Sequence, residues 1–381
     1  MKTLPVERNG GKTQHLGNLR NLSAKLGNEQ FRVDARTSRY KLQNAAKTLL
    51  PGWAVDYCME AAIPGRSVEI WQDADSDHAH IKGVARCGSV WTCPVCSAKI
   101  AIERRDEIAE ALKMAKKAGY RPVMVTLTAA HSRDMSAAEL VEKMTTAKRW
   151  MRNHGSFKNI KSMMGFQGSI SSMEVTWGYA NGWHFHFHEV FVVSKINGAA
   201  ELKGAFFSLW ERALSRVGLI ANYERGVDVI VPRPDDYERV GNYIAKWGLE
   251  SELSRGDAKE GKEGGHYSPY QLLAMYEQGT DWAGGLFQEY ARATKGKTSI
   301  RWSRGLRDVL GLSKELTDKE AAEAQASENS YMLLRLTRAE YKKIIYSGRR
   351  GVLGELLAVA EVGRDALLLW LESVFDIMPD G

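Results

Sequence analysis

Gly182-Trp183-His184-Phe185-His186-Phe187-His188-Glu189-Val190-Phe191-Val192-Val193 is the stretch whose reading decides the fold. Imidazoles at 184, 186 and 188 alternate with the rings of Trp183, Phe185 and Phe187. Successive side chains of a strand point to opposite faces, so one face carries three histidines and the other three large apolar rings. Two imidazoles on one face of a rigid strand can grip one metal ion. The bland alternative is a strand with polar histidines turned outward. It suits a lone histidine better than three in register.

Working outward, Ser169 to Trp177 reads as a second strand, joined to Trp183–Val193 through Gly178-Tyr179-Ala180-Asn181-Gly182, where Asn-Gly is a hairpin signal. Arg121 to Thr128 alternates as a strand. Ser136-Ala137-Ala138-Glu139 has the form of a capping box opening a helix to about Arg152. Leu202 to Val217 is helical, Val227 to Val231 is a short strand, and Asp235 to Leu249 is a further helix. The order strand, helix, strand, strand, helix, strand, helix predicts an α+β fold. Its core is a ferredoxin-like split βαβ antiparallel sheet with helices on one face.

Flanking segments complete the expected organisation. A basic N-terminal arm occupies 1–52. A cysteine-rich module occupies 53–118 and includes a helix from Ala98 to Lys117. The core spans 119–253, and a polar, glycine-rich linker or loop spans 254–266. A mostly helical C-terminal region covers 267–381, with a strand at Tyr331–Leu336 and one amphipathic helix from Val352 to Val374.

Of 381 residues, 44% are hydrophobic and 26% charged, enough for a packed core. The formal net charge is +7, and its placement matters more than its size. Residues 1–50 hold ten Lys or Arg, among them Arg32, Arg36, Arg39 and Lys41, against three acids, so the rest of the chain is near neutral. A basic arm ahead of a balanced body suits phosphate-backbone binding, although a solubilising tail has the same composition. The N-terminus lacks the apolar core of a signal peptide, and no apolar run is free enough of charge to cross a bilayer. A soluble, cytoplasmic protein is expected.

All four cysteines lie between 58 and 96. Cys87, Cys93 and Cys96 have the spacing C-x5-C-x2-C, and Cys93-Pro94-Val95-Cys96 is a knuckle whose two thiolates can reach one ion. With Cys58 they make a four-thiolate set, which favours a structural Zn²⁺. His78 and His80 compete for the fourth position, and buried unligated thiols or a redox pair are the alternatives.

In the helix expected at 235–249, Tyr243, Trp247 and Glu250 share a face, with Lys246 at its edge. A tyrosine beside a lysine and a metal can attack a phosphodiester, the metal polarising the phosphate. Alone, a helical tyrosine is more often a packing residue.

Taken together, Thr126-Leu127-Thr128, then Gly182 to His188, then Tyr243-Ile244-Ala245-Lys246 resemble the three ordered motifs of HUH endonucleases. The closer resemblance is to the replication initiators of small rolling-circle plasmids. In them a cysteine segment precedes the first motif, as Cys87–Ile100 does here, and a segment like Ile300–Arg307 follows the third. The resemblance covers about Cys58 to Leu312.

It implies an HUH nuclease core in which His186 and His188 are metal ligands and His184 is a third ligand or a supporting group. Tyr243 would be the nucleophile, with Lys246 offsetting anionic charge. Glu174 is the candidate acidic ligand from topology, and the mixed ligand set suits Mn²⁺ or Mg²⁺. Trp247 stands four residues after Tyr243, where some relatives carry a second tyrosine, so a two-tyrosine cycle is not expected. Tyr237 is the fallback nucleophile, and Glu250 could activate water for a terminating cleavage. The implied activity is site-specific nicking of one strand of plasmid origin DNA, with Trp183 and Trp247 stacking on unpaired bases and host helicase and polymerase as partners. A transposase, a relaxase, a non-catalytic zinc-dependent DNA-binding protein and a metallohydrolase are the alternatives.

Overall fold

The computed structural model describes residues 35–195, 198–233, 266–323 and 329–379. Two antiparallel sheets organise them. The larger is built on strands β3 (Arg121–Thr128), β4 (Phe166–Gly178), β5 (Gly182–Val193) and β6 (Val227–Ile230), in the order β6-β3-β5-β4. The short strands β7 (His266–Tyr267) and β8 (Ile300–Trp302) extend it beyond β4. The hairpin β4–β5 is in register from Gly178↔Gly182 to Gly168↔Val192, and β3 pairs with the other edge of β5. Gly182 takes φ +71°, and a Cβ there would lie 2.7 Å from the carbonyl oxygen of Arg133, so only glycine closes this turn without displacing the neighbouring backbone.

Three helices lie against the face that carries the odd-numbered residues of β5. Helix α3 (Ala137–Asn153) starts at Ser136, whose hydroxyl accepts from the Glu139 amide, an N-cap contributing about 1 kcal/mol. Helices α4 (Gly155–Met164) and α5 (Ala199–Ser215) complete this layer. Phe157, Phe206, Leu209 and Trp210 meet Phe185, Phe187 and Phe191 in the main core. The even-numbered face is covered too, over half its length. Helix α2 (Pro94–Lys117) supplies Ile108, Ala111, Leu112 and Ala115, which pack with Met124, Ile170, Val190 and Val192, and with Ile300, Leu306 and Leu310. Helices on one face only were expected, and this second core corrects that. Helix α2 is too weakly amphipathic to announce a docking face, since its ends are tied to different partners.

The smaller sheet has the order β2-β1-β9, from β1 (Val68–Asp73), β2 (Ala79–Lys82) and β9 (Ser330–Leu336). The strand expected near the C-terminal end is therefore present, and it pairs with the cysteine-rich module. Helices α6 (Pro269–Glu277) and α7 (Asp281–Thr294) lie between β7 and β8 in sequence; α8 (Arg338–Ile345), α9 (Val352–Val362) and α10 (Arg364–Phe375) follow β9. The single helix expected from Val352 to Val374 is broken at Gly363, whose φ of +129° no other residue adopts readily.

A second correction concerns the arm. Residues 35–49 form a helix, α1. Tyr40, Leu42, Ala45 and Ala46 are buried in the main core, and the Lys47 ammonium donates to the Cys58 carbonyl at 2.8 Å while pairing with Glu60 at 2.6 Å. The apolar residues of this stretch are mostly small, and the density of basic residues masked their helical spacing. No described helix is long and apolar enough to cross a membrane. The linker expected at 254–266 lies outside the described residues except for His266.

Candidate active site and metal centre

At the hairpin end of the even-numbered face, where α2 no longer covers the sheet, the three histidines of β5 stand in a row. The rings of His184 and His186 are 4.2 Å apart, and those of His186 and His188 stack at 5.7 Å. Glu174 on β4 is directly opposite His186, and its Oε2 lies 3.0 Å from His188 Nε2. His188 Nδ1 lies 3.1 Å from the Thr126 hydroxyl on β3, so Thr126 and Glu174 together fix the imidazole from both sides. Thr126 belongs to the Thr-Leu-Thr motif, and pairing of β3 with β5 brings it here.

Burial keeps two members of the row in their ligating form. Burial, reinforced by the neighbouring imidazoles, pushes His184 down to about 3, and burial pushes His186 down to about 4. Both rings are therefore neutral at physiological pH, with a lone pair to offer. Burial alone would raise Glu174, but its hydrogen bond to His188 and the adjacent imidazoles hold it below the usual carboxylate range, leaving it anionic. Ligands of an octahedral ion with arms of about 2.1 Å sit roughly 3.0 Å apart when adjacent, which is the His188–Glu174 separation. Those two atoms fit neighbouring positions around a small divalent ion. Among the described residues no third donor of the row closes on them as tightly as the cysteine donors close on one another.

His131 was not anticipated. It follows β3, and its Nε2 lies 2.9 Å from His184 Nδ1. One of the two nitrogens must donate and the other accept, so His131 sets the tautomer and orientation of His184. His266 adds a fifth ring, 6.2 Å from His184. The one local signal was the place of His131, three residues beyond Thr128. Arg301 and Trp302 of the Ile300–Arg307 segment pair with Ser171 and Ile170 of β4, one and two residues along that strand from Ser172, the partner of His188.

Trp183 does not face this site. It is buried at 3% exposure on the opposite face, stacked on Tyr290 at 6.4 Å, which corrects its expected role against unpaired bases. The alternation that aims the histidines one way aims Trp183 the other. Arg36 is also committed elsewhere: its guanidinium pairs with Glu361 at 2.5 Å, and Glu361 in turn meets His78 at 3.1 Å. Arg39 is partnered as well. Lys41 is exposed on α1. Tyr243, Lys246, Trp247 and Glu250, together with Tyr237 and Arg32, lie outside the described residues.

The four cysteines meet as expected. Their sulfur atoms all lie within 4.8 Å of one another, with Cys58–Cys96 at 3.5 Å, Cys87–Cys96 at 3.7 Å and Cys58–Cys93 at 3.8 Å. A disulfide needs about 2.05 Å, whereas four sulfurs around one ion at about 2.3 Å sit roughly 3.8 Å apart. The spacing fits a metal ion and excludes a bonded pair. Amide donors support the sulfurs: Cys87 N reaches Cys58 Sγ, Ser89 N reaches Cys87 Sγ, and Cys96 N reaches Cys93 Sγ, each at 3.4 Å. Gln43 of α1 adds a side-chain donor to Cys93 at 3.3 Å. Cys93 is the N-cap of α2 and Cys96 lies in its first turn, where the helix dipole favours negative charge. Neither His78 nor His80 joins the set: the group of mutually close donors is the four sulfurs alone, and His78 is held by Glu361 and Arg36.

A family model described as "Replication protein" matches residues 78–338. "Protein rep" of Streptomyces lividans is 29% identical over 297 residues, covering 61% of this chain and 65% of that protein. The "Neomycin resistance protein" of Streptomyces cyanogenus is 27% identical over 135 residues, covering 29% of this chain and 31% of that protein. This chain thus spans less than two thirds of the length of either relative. No solved structure matches.

Proposed function

Since this chain belongs to the replication-protein family whose model spans residues 78–338, we propose that it starts rolling-circle copying of a plasmid by nicking one strand of the origin. The observation that carries this reading is the row His184, His186 and His188 on one face of β5, with Glu174 opposite His186 and 3.0 Å from His188, at the uncovered end of the sheet. The strand order β6-β3-β5-β4, with α3 and α5 as crossovers, supports a ferredoxin-like HUH core.

His186, His188 and Glu174 would hold a divalent ion, Mn²⁺ or Mg²⁺, with His184 oriented by His131 as a further ligand or a support. A bound ion would polarise the scissile phosphate and offset the charge that develops on it. Tyr243 is the proposed nucleophile. Its phenolic oxygen bonds to phosphorus, the bond from phosphorus to the 3′ oxygen breaks, and the strand is left with a 5′-phosphotyrosine link and a free 3′-OH to prime synthesis. Lys246 would stabilise the phenolate, and Glu250 would direct water at the link when a round ends. Trp247 would stack on an unpaired base. The cysteine centre, read as structural Zn²⁺, holds α1 and α2 together; the arm before residue 35, with Arg32, and exposed Lys41 would meet duplex DNA beside the nick. Host helicase and polymerase would take over the opened strand, in the cytoplasm.

The test is incubation of the protein with labelled single-stranded origin DNA and Mn²⁺. A covalent adduct that maps to Tyr243, disappears in Tyr243→Phe and needs His186 and His188 supports the reading. DNA that is bound and never cut would instead identify a non-catalytic zinc-dependent DNA-binding protein.

A further inference from the structure

The hairpin end of the large sheet carries a surface that the mechanism above does not use. Trp177 of β4, Tyr179 of the turn, Tyr267 of β7 and Trp282 of α7 form a mutual cluster drawn from three separate stretches of chain. Ring centroids are 4.9 Å apart for Trp177–Tyr179, 5.5 Å for Trp177–Trp282 and for Tyr179–Trp282, and 5.8 Å for Tyr179–Tyr267. Isolated exposed aromatics need no explanation, but four in contact form an apolar patch that folding has left open. Tyr179 is 47% exposed and Trp282 42%.

Position argues for what covers it. Trp177 and Tyr267 are paired across β4 and β7, and the next pair, Gly178 and His266, turns toward the histidine row, where His266 lies 6.2 Å from His184. The cluster is on the opposite face of the sheet from the row, yet at the same end, one residue along β4 from Thr176, the cross-strand partner of His184. A chain leaving the row over the β7 edge meets these rings first. Arg133 is exposed beside the turn, its backbone against Gly182, and His266 is exposed at the β7 edge; Asp134 and Asp281 are the nearby acids in sequence. Half-open rings beside the proposed phosphate-handling site, with the Arg133 cation at the turn, suit unpaired bases: every base has a π-face, so stacking needs no sequence readout.

We propose that the Trp177–Tyr179–Tyr267–Trp282 cluster is a stacking platform for bases of single-stranded DNA flanking the scissile phosphate, with Tyr179 and Trp282 as the contact rings. This rests on the nicking activity proposed above and extends it.

The experiment measures equilibrium binding of oligothymidylate, and of the same strand with abasic positions, to the full chain without added Mn²⁺ or Mg²⁺. Trp282→Ala and Tyr179→Ala should each weaken binding of the intact strand by roughly tenfold. Trp282→Phe should restore most of the loss, and the abasic strand should bind parent and Trp282→Ala alike. Equal affinity of parent and both alanine variants for the intact strand overturns the proposal, as does an equal drop for intact and abasic strands, which marks a structural effect. Adduct formation is scored separately on the parent protein. No adduct with normal, ring-dependent strand binding removes the nicking reading and leaves the platform, while a normal adduct with ring-independent binding removes the platform alone.

Discussion

Glu189 is a charged residue directly ahead of the apolar last third of β5. It sits fully buried between the Lys148 ammonium at 2.6 Å and the Arg152 guanidinium, both from α3. Burial alone would raise its carboxyl, but Arg152 and Lys148 hold it below the usual carboxylate range. Removing one partner of a buried ion pair strands the others, so Glu189→Gln should cost about 3–5 kcal/mol at neutral pH, read as a lower urea midpoint. The sign of the pH effect follows from the depressed value. Above the unfolded carboxyl at about 4.3 the contribution is complete, and it is lost as pH falls through the folded value. The gap between parent and variant should therefore narrow in acid. A charge inside Phe187-His188-Glu189-Val190-Phe191 is itself a signal that a buried partner exists. Naming Lys148 and Arg152 needed the packing of α3.

At the scale of elements, what could be read from the chain was what is encoded locally. β3 was expected at Arg121–Thr128 and is found there, because period-two alternation is a property of neighbouring residues. The hairpin grew by a few residues at its ends. Helix α2 begins at Pro94 rather than Ala98, since proline is favoured in a first turn and Cys93 caps it. α1 was hidden by charge, and Gly363 divides a helix whose apolar pattern continues through the break. Glu174 reaches the histidine row through strand pairing, and His131 through the loop that follows β3. Glu174 could be inferred once a hairpin was assumed, whereas His131, in a loop, could not. The metal centre is the element-scale prediction. Cys93→Ala removes one sulfur and the cap of α2 together, so, with the zinc proposed above for this centre, the purified variant should carry clearly less metal per chain than the parent by elemental analysis. α2 should then lose protection from hydrogen exchange first at its N-terminal turns.

For the whole molecule, the small sheet is the least local structure in the chain. β9 pairs with β1 from Val68↔Leu336 to Asp73↔Ser330, and Tyr341 of α8 donates to the Met59 carbonyl beside Cys58. Arg36 near one end and Glu361 near the other close the same region. The C-terminal helices are therefore part of the cysteine module, which the expected boundaries at 53–118 and 267–381 separate. A chain ending before Ser330 should expose one edge of β1 and the underside of α1. Its cysteine centre should hold a metal ion more weakly than that of the full protein, and its amides in β1 should exchange as fast as those of a surface loop.

The pairing of β1 with β9 has a further consequence during synthesis. At about 5–20 residues per second, a ribosome needs roughly 10–50 s to travel from the end of one strand to the start of the other. Throughout that interval the nascent polypeptide carries an unmatched strand and a half-roofed cluster of thiols. Capture of an ion before release from the ribosome would steady the emerging segment, so, if the centre takes the zinc proposed above, scarcity of zinc during translation should lower the yield of folded chains more than the same scarcity imposed on finished ones.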